Sequence, residues 1–123
     1  MKKKNDSSGS ISLQPRFRAM RGKKIAFGPG KAELLQLVAE TGSIGKAASR
    51  MDMSYMRAWS LIQTMNACFK KPVIAALRGG REHGGAELTE TGRRVLESYR
   101  QMEKAGLKAA QADWRALQKL MQE

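Results

Sequence analysis

The sequence predicts a mainly α-helical fold with a small β component, and three observations support this prediction. Apolar residues recur every three or four positions in several segments, which is the period of an amphipathic helix. A serine or threonine precedes three of these segments, where its side chain can cap a helix. Two pairs of short apolar stretches flank glycine-containing turns and have the length of strands. With 123 residues, the chain has the size of one domain with a single core.

The composition is strongly basic. Lysine and arginine number 23 against 11 acidic residues, so the formal net charge is +12. In a chain this small, such an excess favours a polyanionic partner, with nucleic acid as the leading class. A basic surface kept for solubility is the alternative, although acidic residues serve solubility better. A membrane surface is a weaker alternative.

The N-terminal part predicts a tail followed by a hairpin and a helix. Residues 1–13 are charged and rich in serine, and this composition predicts a disordered basic tail. Basic and apolar residues alternate loosely over residues 14–27 around Gly22-Lys23, which predicts a β-hairpin with one basic face. Gly28-Pro29-Gly30 ends the hairpin, and the apolar stripe of Lys31 to Thr41 predicts the first helix.

Residues 42–69 predict a short helix, a tight turn and a second helix. Ser43 and Ser54 are placed to cap the two helices through their side-chain oxygens. Ala47 and Ala48 are small enough for the second helix to cross closely over the first. In a basic chain, this helix-turn-helix pattern favours binding in the major groove of DNA.

The second helix of this motif has two distinct faces. Its predicted buried stripe consists of Ala58, Ile62, Met65 and Phe69. A rotation of 100° per residue places on the opposite, outward side Met56, Arg57, Ser60, Gln63 and Thr64. Arginine is suited to bidentate contact with guanine, so Arg57 is the first candidate for reading a base. The alternative is that Arg57 meets only a backbone phosphate or solvent.

Other residues of the motif are candidates for further DNA contacts. Met56, Ser60 and Gln63 are placed for neighbouring base edges, whereas Ser54 and Tyr55 are placed for phosphates. Ser43 and Lys46 lie in the first turn of the short helix, where free amides and the helix dipole attract an anion. Capping alone explains Ser43 equally well.

A glycine-rich loop follows the motif. Residues 79–85 separate two predicted strands, at Val73 to Arg78 and at Ala86 to Thr89. This arrangement predicts a basic wing whose DNA contacts, to the backbone or the minor groove, come from Arg78, Arg81 and His83. The alternative is a mobile hairpin tip.

The last segment predicts a long helix capped by Thr89. One stripe of this helix consists of Leu96, Tyr99, Met102, Gly106, Ala110, Trp114, Leu117 and Met121. Because a small domain cannot cover so long an apolar edge, the stripe predicts packing against a second copy. The predicted organisation is a DNA-binding domain at residues 14–92 and a dimerisation helix at residues 93–123.

No enzyme or metal site is predicted. Cys68 is the only cysteine and His83 the only histidine, so neither a disulfide nor a metal site has support. The scattered carboxylates do not suggest a set of acid, base and nucleophile. The absence of a disulfide and of a long apolar run predicts a soluble, cytoplasmic protein.

With these residues placed, the chain resembles the DNA-binding domain of the ModE-type molybdate-responsive transcription regulators, in their short single-domain form. The resemblance covers Gln14 to about Tyr99. It rests on Gly28-Pro29-Gly30-Lys31, Glu40-Thr41-Gly42-Ser43-Ile44, Ala47-Ala48, Met53-Ser54-Tyr55, Ala58-Trp59, Met65-Asn66 and Leu88-Thr89 with Gly92. The Gly-Ser-Ile, Ala-Ala and Leu-Thr-x-x-Gly elements are shared more widely with LysR-type winged helices.

The resemblance implies a winged helix-turn-helix, a homodimer made largely through the last helix, and sequence-specific promoter binding. Full-length members of the family sense molybdate in a separate C-terminal region. Because this chain stops at Glu123, no cofactor is expected and molybdate binding is not carried over. The expected partners are double-stranded DNA and a second copy, with no membrane; a separate sensor or transcription-machinery partner stays open. The alternatives are a protein-interaction module and a nonspecific nucleic-acid-binding protein of the same fold.

Overall fold

The computed structural model describes residues 9–77 and 85–122. Within these residues, the helices are α1 (Pro29–Thr41), α2 (Ile44–Arg50), α3 (Tyr55–Cys68) and α4 (Glu90–Gln118). The strands are β1 (Ala19–Arg21), β2 (Lys24–Phe27), β3 (Ile74–Ala76) and β4 (Ala86–Leu88). β1 pairs with β2 and β3 with β4, both antiparallel. The predicted mainly α-helical fold with a small β component is therefore confirmed.

The predicted N-terminal hairpin is present, with its turn at the predicted position. Gly22 has a φ of 62°, a left-handed conformation that glycine adopts without steric cost. The hairpin is attached to the start of α1 by Lys31, whose Nζ donates hydrogen bonds to the carbonyl oxygens of Ile25 at 3.0 Å and Ala26 at 3.1 Å. One lysine therefore fixes β2 relative to the helical part of the domain.

The boundaries of α1 follow from proline and glycine chemistry. The helix begins at Pro29, two residues before the predicted start, because a proline with fixed φ and no N–H suits the first helical position. It ends at Thr41 and is capped by Gly42, which has a φ of 69° and donates its N–H to the carbonyl of Val38.

Both predicted serine caps of the helix-turn-helix are confirmed. The Oγ of Ser43 accepts from the N–H of Lys46 at 3.1 Å, and the Oγ of Ser54 accepts from the N–H of Arg57 at 3.1 Å. These bonds fix where α2 and α3 begin. They also commit one lone pair of each hydroxyl to its own helix.

The core lies where α1, α2 and α3 meet the strands. Ala47, Ala48 and Ala58 are buried at the α2–α3 crossing, as their small size predicts. The predicted buried stripe of α3 is confirmed for Ala58, Ile62 and Met65. Phe69 lies just beyond α3, is half-buried and meets Phe27 edge-on with 5.7 Å between ring centroids.

A second hairpin connects α3 to α4. β3 and β4 are shorter than the predicted strands, although one further backbone hydrogen bond continues their pairing beyond Ile74 and Leu88. The N–H of Thr89 donates to the carbonyl of Val73 at 3.0 Å, and Thr89 Oγ1 accepts from the N–H of Gly92 at 2.9 Å. The predicted cap at Thr89 is confirmed, and it also anchors α4 to the hairpin.

The end of α3 is tied to β3 by Asn66. Its Oδ1 accepts from the N–H of Val73 at 2.7 Å and of Ile74 at 3.3 Å, while its Nδ2 donates to the carbonyl of Ile74 at 3.4 Å. A half-buried amide side chain thus extends the strand pairing toward the helix.

The long helix α4 contains 29 residues and packs on the domain through its first half. Tyr99 is buried, its ring meets Phe27 edge-on, and its hydroxyl donates to the carbonyl of Phe17 at 2.7 Å. A Cβ placed on Gly106 would lie 2.5 Å from the Phe17 ring, so that ring packs directly on the glycine. The segment before β1 is therefore fastened to α4.

Candidate nucleic-acid interface

The outward face of α3 is exposed as the helical rotation predicts. Its exposed side chains are Tyr55, Met56, Arg57, Ser60, Gln63 and Thr64. Met56 is a large apolar side chain that is 69% exposed near the start of the helix. The face therefore combines polar, cationic and apolar groups beside a capped helix N-terminus, which suits contact with base edges in a groove.

The side chains of Ser43 and Ser54 are used by the protein itself. Each oxygen accepts one backbone hydrogen bond at the start of its helix. The hydroxyl proton of a serine in this role stays available for an acceptor such as a phosphate oxygen. Capping and phosphate contact are thus compatible at both residues.

Two cations of the helix-turn-helix, Lys46 and Arg57, have no carboxylate partner within 4.0 Å among the described residues. The ion pairs found there join Arg50 to Glu40 at 3.9 Å, and Arg100 to Glu33 at 3.8 Å and to Glu103 at 3.0 Å. Lys46 and Arg57, both exposed, take part in none of these pairs. Their charges therefore contribute to a positive potential at the exposed surface.

The strand leaving the predicted wing returns to the start of α2. Gly85 forms an antiparallel bridge with Ser43, and the N–H of Ala86 donates to the carbonyl of Gly42 at 3.1 Å. The second hairpin is therefore attached beside the first turn of α2. Arg78, Arg81 and His83 lie outside the described residues, and their contact with DNA stays a prediction.

The stripe predicted for dimerisation is divided by the fold. Leu96 packs against the core and Tyr99 is buried in it, so both serve the packing of their own protomer and not a free face. Gly106 is half-buried beneath Phe17, and Ala110 and Trp114 are also half-buried. The exposed members are Met102 at 49%, Leu117 at 52% and Met121 at 43%.

Two arginines near α3 were absent from the residues singled out in the sequence. Arg16 and Arg18 are exposed and line one concavity with Arg57. The alternation of basic and apolar residues before Gly22 indicated a basic face for the hairpin. This alternation contained no signal that the basic face lies beside α3, because that placement depends on contacts between distant parts of the chain.

The described residues contain neither a membrane-spanning helix nor a cluster of metal-binding side chains. Over residues 9–77 and 85–122, no helix is both long and apolar enough to cross a bilayer. The same residues contain no group of three histidine, cysteine, aspartate or glutamate side chains arranged to hold a metal ion. Cys68 is a free, half-buried thiol at the end of α3.

The geometry defines a class of protein. α2 and α3 form a helix-turn-helix that packs against α1, and the β3–β4 hairpin follows α3 in the position of a wing. This is the winged helix-turn-helix architecture of DNA-binding domains. A family model described as the bacterial regulatory helix-turn-helix protein, lysR family, matches residues 30–93, and the chain belongs to this family.

Comparison with curated proteins confirms the resemblance to ModE-type regulators. The chain is 38% identical over 78 residues to the molybdenum transport protein ModE of Azotobacter vinelandii, a match that covers 63% of this chain and 29% of that protein. It is 34% identical over 76 residues to the DNA-binding transcriptional dual regulator ModE of Escherichia coli, covering 62% and 29%. The match thus spans less than a third of the length of these relatives.

Solved structures show the same fold. The CbnR_DBD–DNA complex superposes with a TM-score of 0.55 and 24% identity, covering 72% of this chain and 95% of that chain. Full-length CbnR complexed with its target DNA gives a TM-score of 0.51 and 25% identity, covering 71% and 28%. The predicted winged helix-turn-helix is therefore confirmed.

Proposed function

We propose that the chain is a sequence-specific DNA-binding transcription regulator that acts as a homodimer and inserts α3 into the major groove. One observation carries this proposal: the outward face of α3 is exposed and includes Arg57, a cation without a carboxylate partner among the described residues. The DNA-bound structural relatives and the regulators named ModE support the same function.

Arg57 is the proposed base-reading residue. It lies in the first turn of α3, and the N-terminal residues of a recognition helix reach furthest toward the bases. Its guanidinium can donate two hydrogen bonds to guanine O6 and N7. Met56, Ser60 and Gln63 lie on the same exposed side and are proposed to contact neighbouring base edges.

Other proposed contacts position the protein on the duplex. Ser54 and Tyr55 at the start of α3, with Ser43 and Lys46 at the start of α2, are proposed to bind phosphates. The proposed wing, residues 79–85 with Arg78, follows the backbone or enters the minor groove. The bridge between Gly85 and Ser43 supports this placement because it brings one end of the wing beside α2.

The homodimer is proposed to form through α4. Met102, Leu117 and Met121 each expose more than 40% of their surface, which is unfavourable for apolar side chains unless something covers them. An antiparallel partner helix would place the Leu117 end of one protomer near the Met102 position of the other. Two-fold symmetry would then set the DNA half-sites about 34 Å apart.

The test is selection of bound duplexes from a random pool, followed by affinity measurements on Arg57→Ala and Lys46→Ala. The proposal expects a two-fold-symmetric motif. Arg57→Ala should lose about 1–3 kcal/mol on the selected site and relax the preference at one base position. Lys46→Ala is the matched control for a lost cation, and it should weaken binding to all duplexes alike.

Two results would argue against the proposal. Equal losses on selected and random duplexes for Arg57→Ala would remove the base-reading role. Salt-sensitive binding without any selected motif would favour the second candidate, a nonspecific nucleic-acid-binding protein, which the net charge of +12 also supports.

A further inference from the structure

A concavity of about 280 Å³ lies between the N-terminal hairpin, the start of α1 and α3. Its polar lining is cationic and includes Arg16, Arg18 and Arg57, and its apolar lining includes Ile25 and Leu61. No carboxylate is among the lining residues. The remaining cation, Lys31, already donates to two carbonyls of β2 and therefore serves the hairpin.

Arg16 and Arg18, which precede β1, are held in place by the residue between them. The carbonyl of Phe17 accepts a hydrogen bond from the Tyr99 hydroxyl at 2.7 Å, and the Phe17 ring packs on Gly106. The stem of Arg18 lies over Gly28, where an added Cβ would come within 3.3 Å of the Arg18 Cγ. These contacts keep Arg16 and Arg18 beside α3.

Nearby carboxylates do not neutralise this group. Glu33 and Glu103 line an adjoining concavity that Arg16 also borders, and both are already paired with Arg100. Within the described residues, Arg16 and Arg18 form no ion pair within 4.0 Å. Like charges gathered around one concavity repel each other, and a bound anion would remove that repulsion.

We propose that Arg16 and Arg18 bind a backbone phosphate of the DNA that α3 contacts. This inference rests on the function proposed above and adds a contact on the side of α3 that faces the hairpin. A phosphate fits a site lined by two guanidinium groups, which can donate several charge-assisted hydrogen bonds to it. Phosphate contacts set position and base contacts set sequence, so the pair fixes the register in which Arg57 meets a base.

The test measures binding of the full chain to a selected duplex and to a random duplex between 50 and 200 mM KCl. Arg16→Gln and Arg18→Gln should each reduce the slope of log affinity against log salt by about 1, and the double variant by about 2. Both duplexes should lose affinity by the same factor. Arg115→Gln, an exposed arginine in the last turn of α4, is the matched control and should keep the wild-type slope.

The result that overturns the inference is distinct from failure of the proposed function. If the wild type binds duplexes but the Arg16 and Arg18 variants keep its salt slope, the phosphate contact is wrong and the function stands. If the wild type binds neither duplex, both are wrong. Because Arg16 and Arg18 are exposed, each single variant should keep the wild-type melting temperature. Measuring this temperature checks that the compared proteins are folded.

A second experiment distinguishes binding of a free anion from binding of a DNA phosphate. Inorganic phosphate, compared with KCl at the same ionic strength, should shift the melting temperatures of wild type and double variant equally. A phosphate-dependent rise confined to the wild type, with an unchanged DNA salt slope in the double variant, would assign the concavity to a free anion and overturn its assignment to DNA.

Discussion

The two halves of α4 belong to one continuous helix but are stabilised in different ways. In the first half, Gly92 lies against the backbone of Val73 and Tyr99 is buried among aromatic rings. In the second half, most side chains are exposed, and Leu117 exposes 52% of its surface. Packing on the domain therefore stabilises the first half, whereas the second half depends on helix propensity and on any partner that it binds.

Separating the first half of α4 from the domain should have the largest effect. In Gly92→Ala, the new Cβ would come 2.0 Å from the carbonyl oxygen of Val73, a backbone atom that cannot move freely. We expect a loss of about 3 kcal/mol or more in the free energy of unfolding, measured by urea denaturation.

Gly30→Ala is the matched control for this substitution. Gly30 lies in the first turn of α1, and an added Cβ there meets nothing within 4 Å. The variant should be neutral or gain up to about 1 kcal/mol from helix propensity. Equal stability of the two variants would show that the close contact at Gly92 does not hold α4.

The second half of α4 is tested by a charge on its exposed apolar edge. Leu117→Glu should weaken the proposed homodimer by about tenfold to a hundredfold, because burying an unpaired carboxylate in an interface is unfavourable. Sedimentation equilibrium measures the dissociation constant. The stability of the first half should stay close to wild type.

Gln118→Glu introduces the same charge one position further, at an exposed polar residue. It should leave self-association within about threefold of wild type, as expected for a surface charge outside the contact. A wild-type dissociation constant for Leu117→Glu would place the interface on another face of α4.

The smallest expected effect comes from the bond that fastens the N-terminal segment to the first half of α4. Tyr99→Phe removes the hydroxyl that donates to the Phe17 carbonyl and should lose about 1 kcal/mol, measured by thermal unfolding at pH 7. Tyr55→Phe removes an exposed hydroxyl elsewhere and is the control.

The same pair of variants differs at alkaline pH. Burial raises the pKa of the Tyr99 hydroxyl above 10.0, and the nearby charge of Glu103 raises it further. This hydroxyl therefore ionises more readily in the unfolded chain, so its stabilising contribution is full below pH 10 and is lost as the pH rises through the raised pKa. Tyr99→Phe should remove that alkaline loss, whereas a profile identical to wild type would contradict the role of the buried hydroxyl.

Local features of the fold could be predicted from the sequence because neighbouring residues determine them. Ser43, Ser54 and Thr89 cap the three helices that follow them, as their side-chain chemistry predicts. The start of α1 was predicted two residues late because Gly28-Pro29-Gly30 was interpreted as a break, although proline is favourable at the first position of a helix.

Long-range placement could not be predicted in the same way. The apolar stripe of α4 was evident from the sequence. Tyr99 in this stripe, however, donates a hydrogen bond to the carbonyl of Phe17, which lies 82 positions earlier in the chain. The position of Arg16 and Arg18 beside α3 follows from that same contact. Periodicity therefore identifies a face that will be buried, but it contains no information on which segment covers it.

The aromatic contacts described above extend beyond the segment that the family shares. Phe69 lies inside the matched residues 30–93, whereas Phe27 precedes them and Tyr99 follows them. The ring of Phe27 meets each of the other two rings edge-on. A fragment cut at the borders of the match would leave Phe69 without its ring neighbour and remove two rings from the hydrophobic cluster. A fragment that keeps the contacts of Phe17 with Tyr99 and Gly106 therefore reaches from Phe17 to Gly106, beyond both borders of the residues that match the family model.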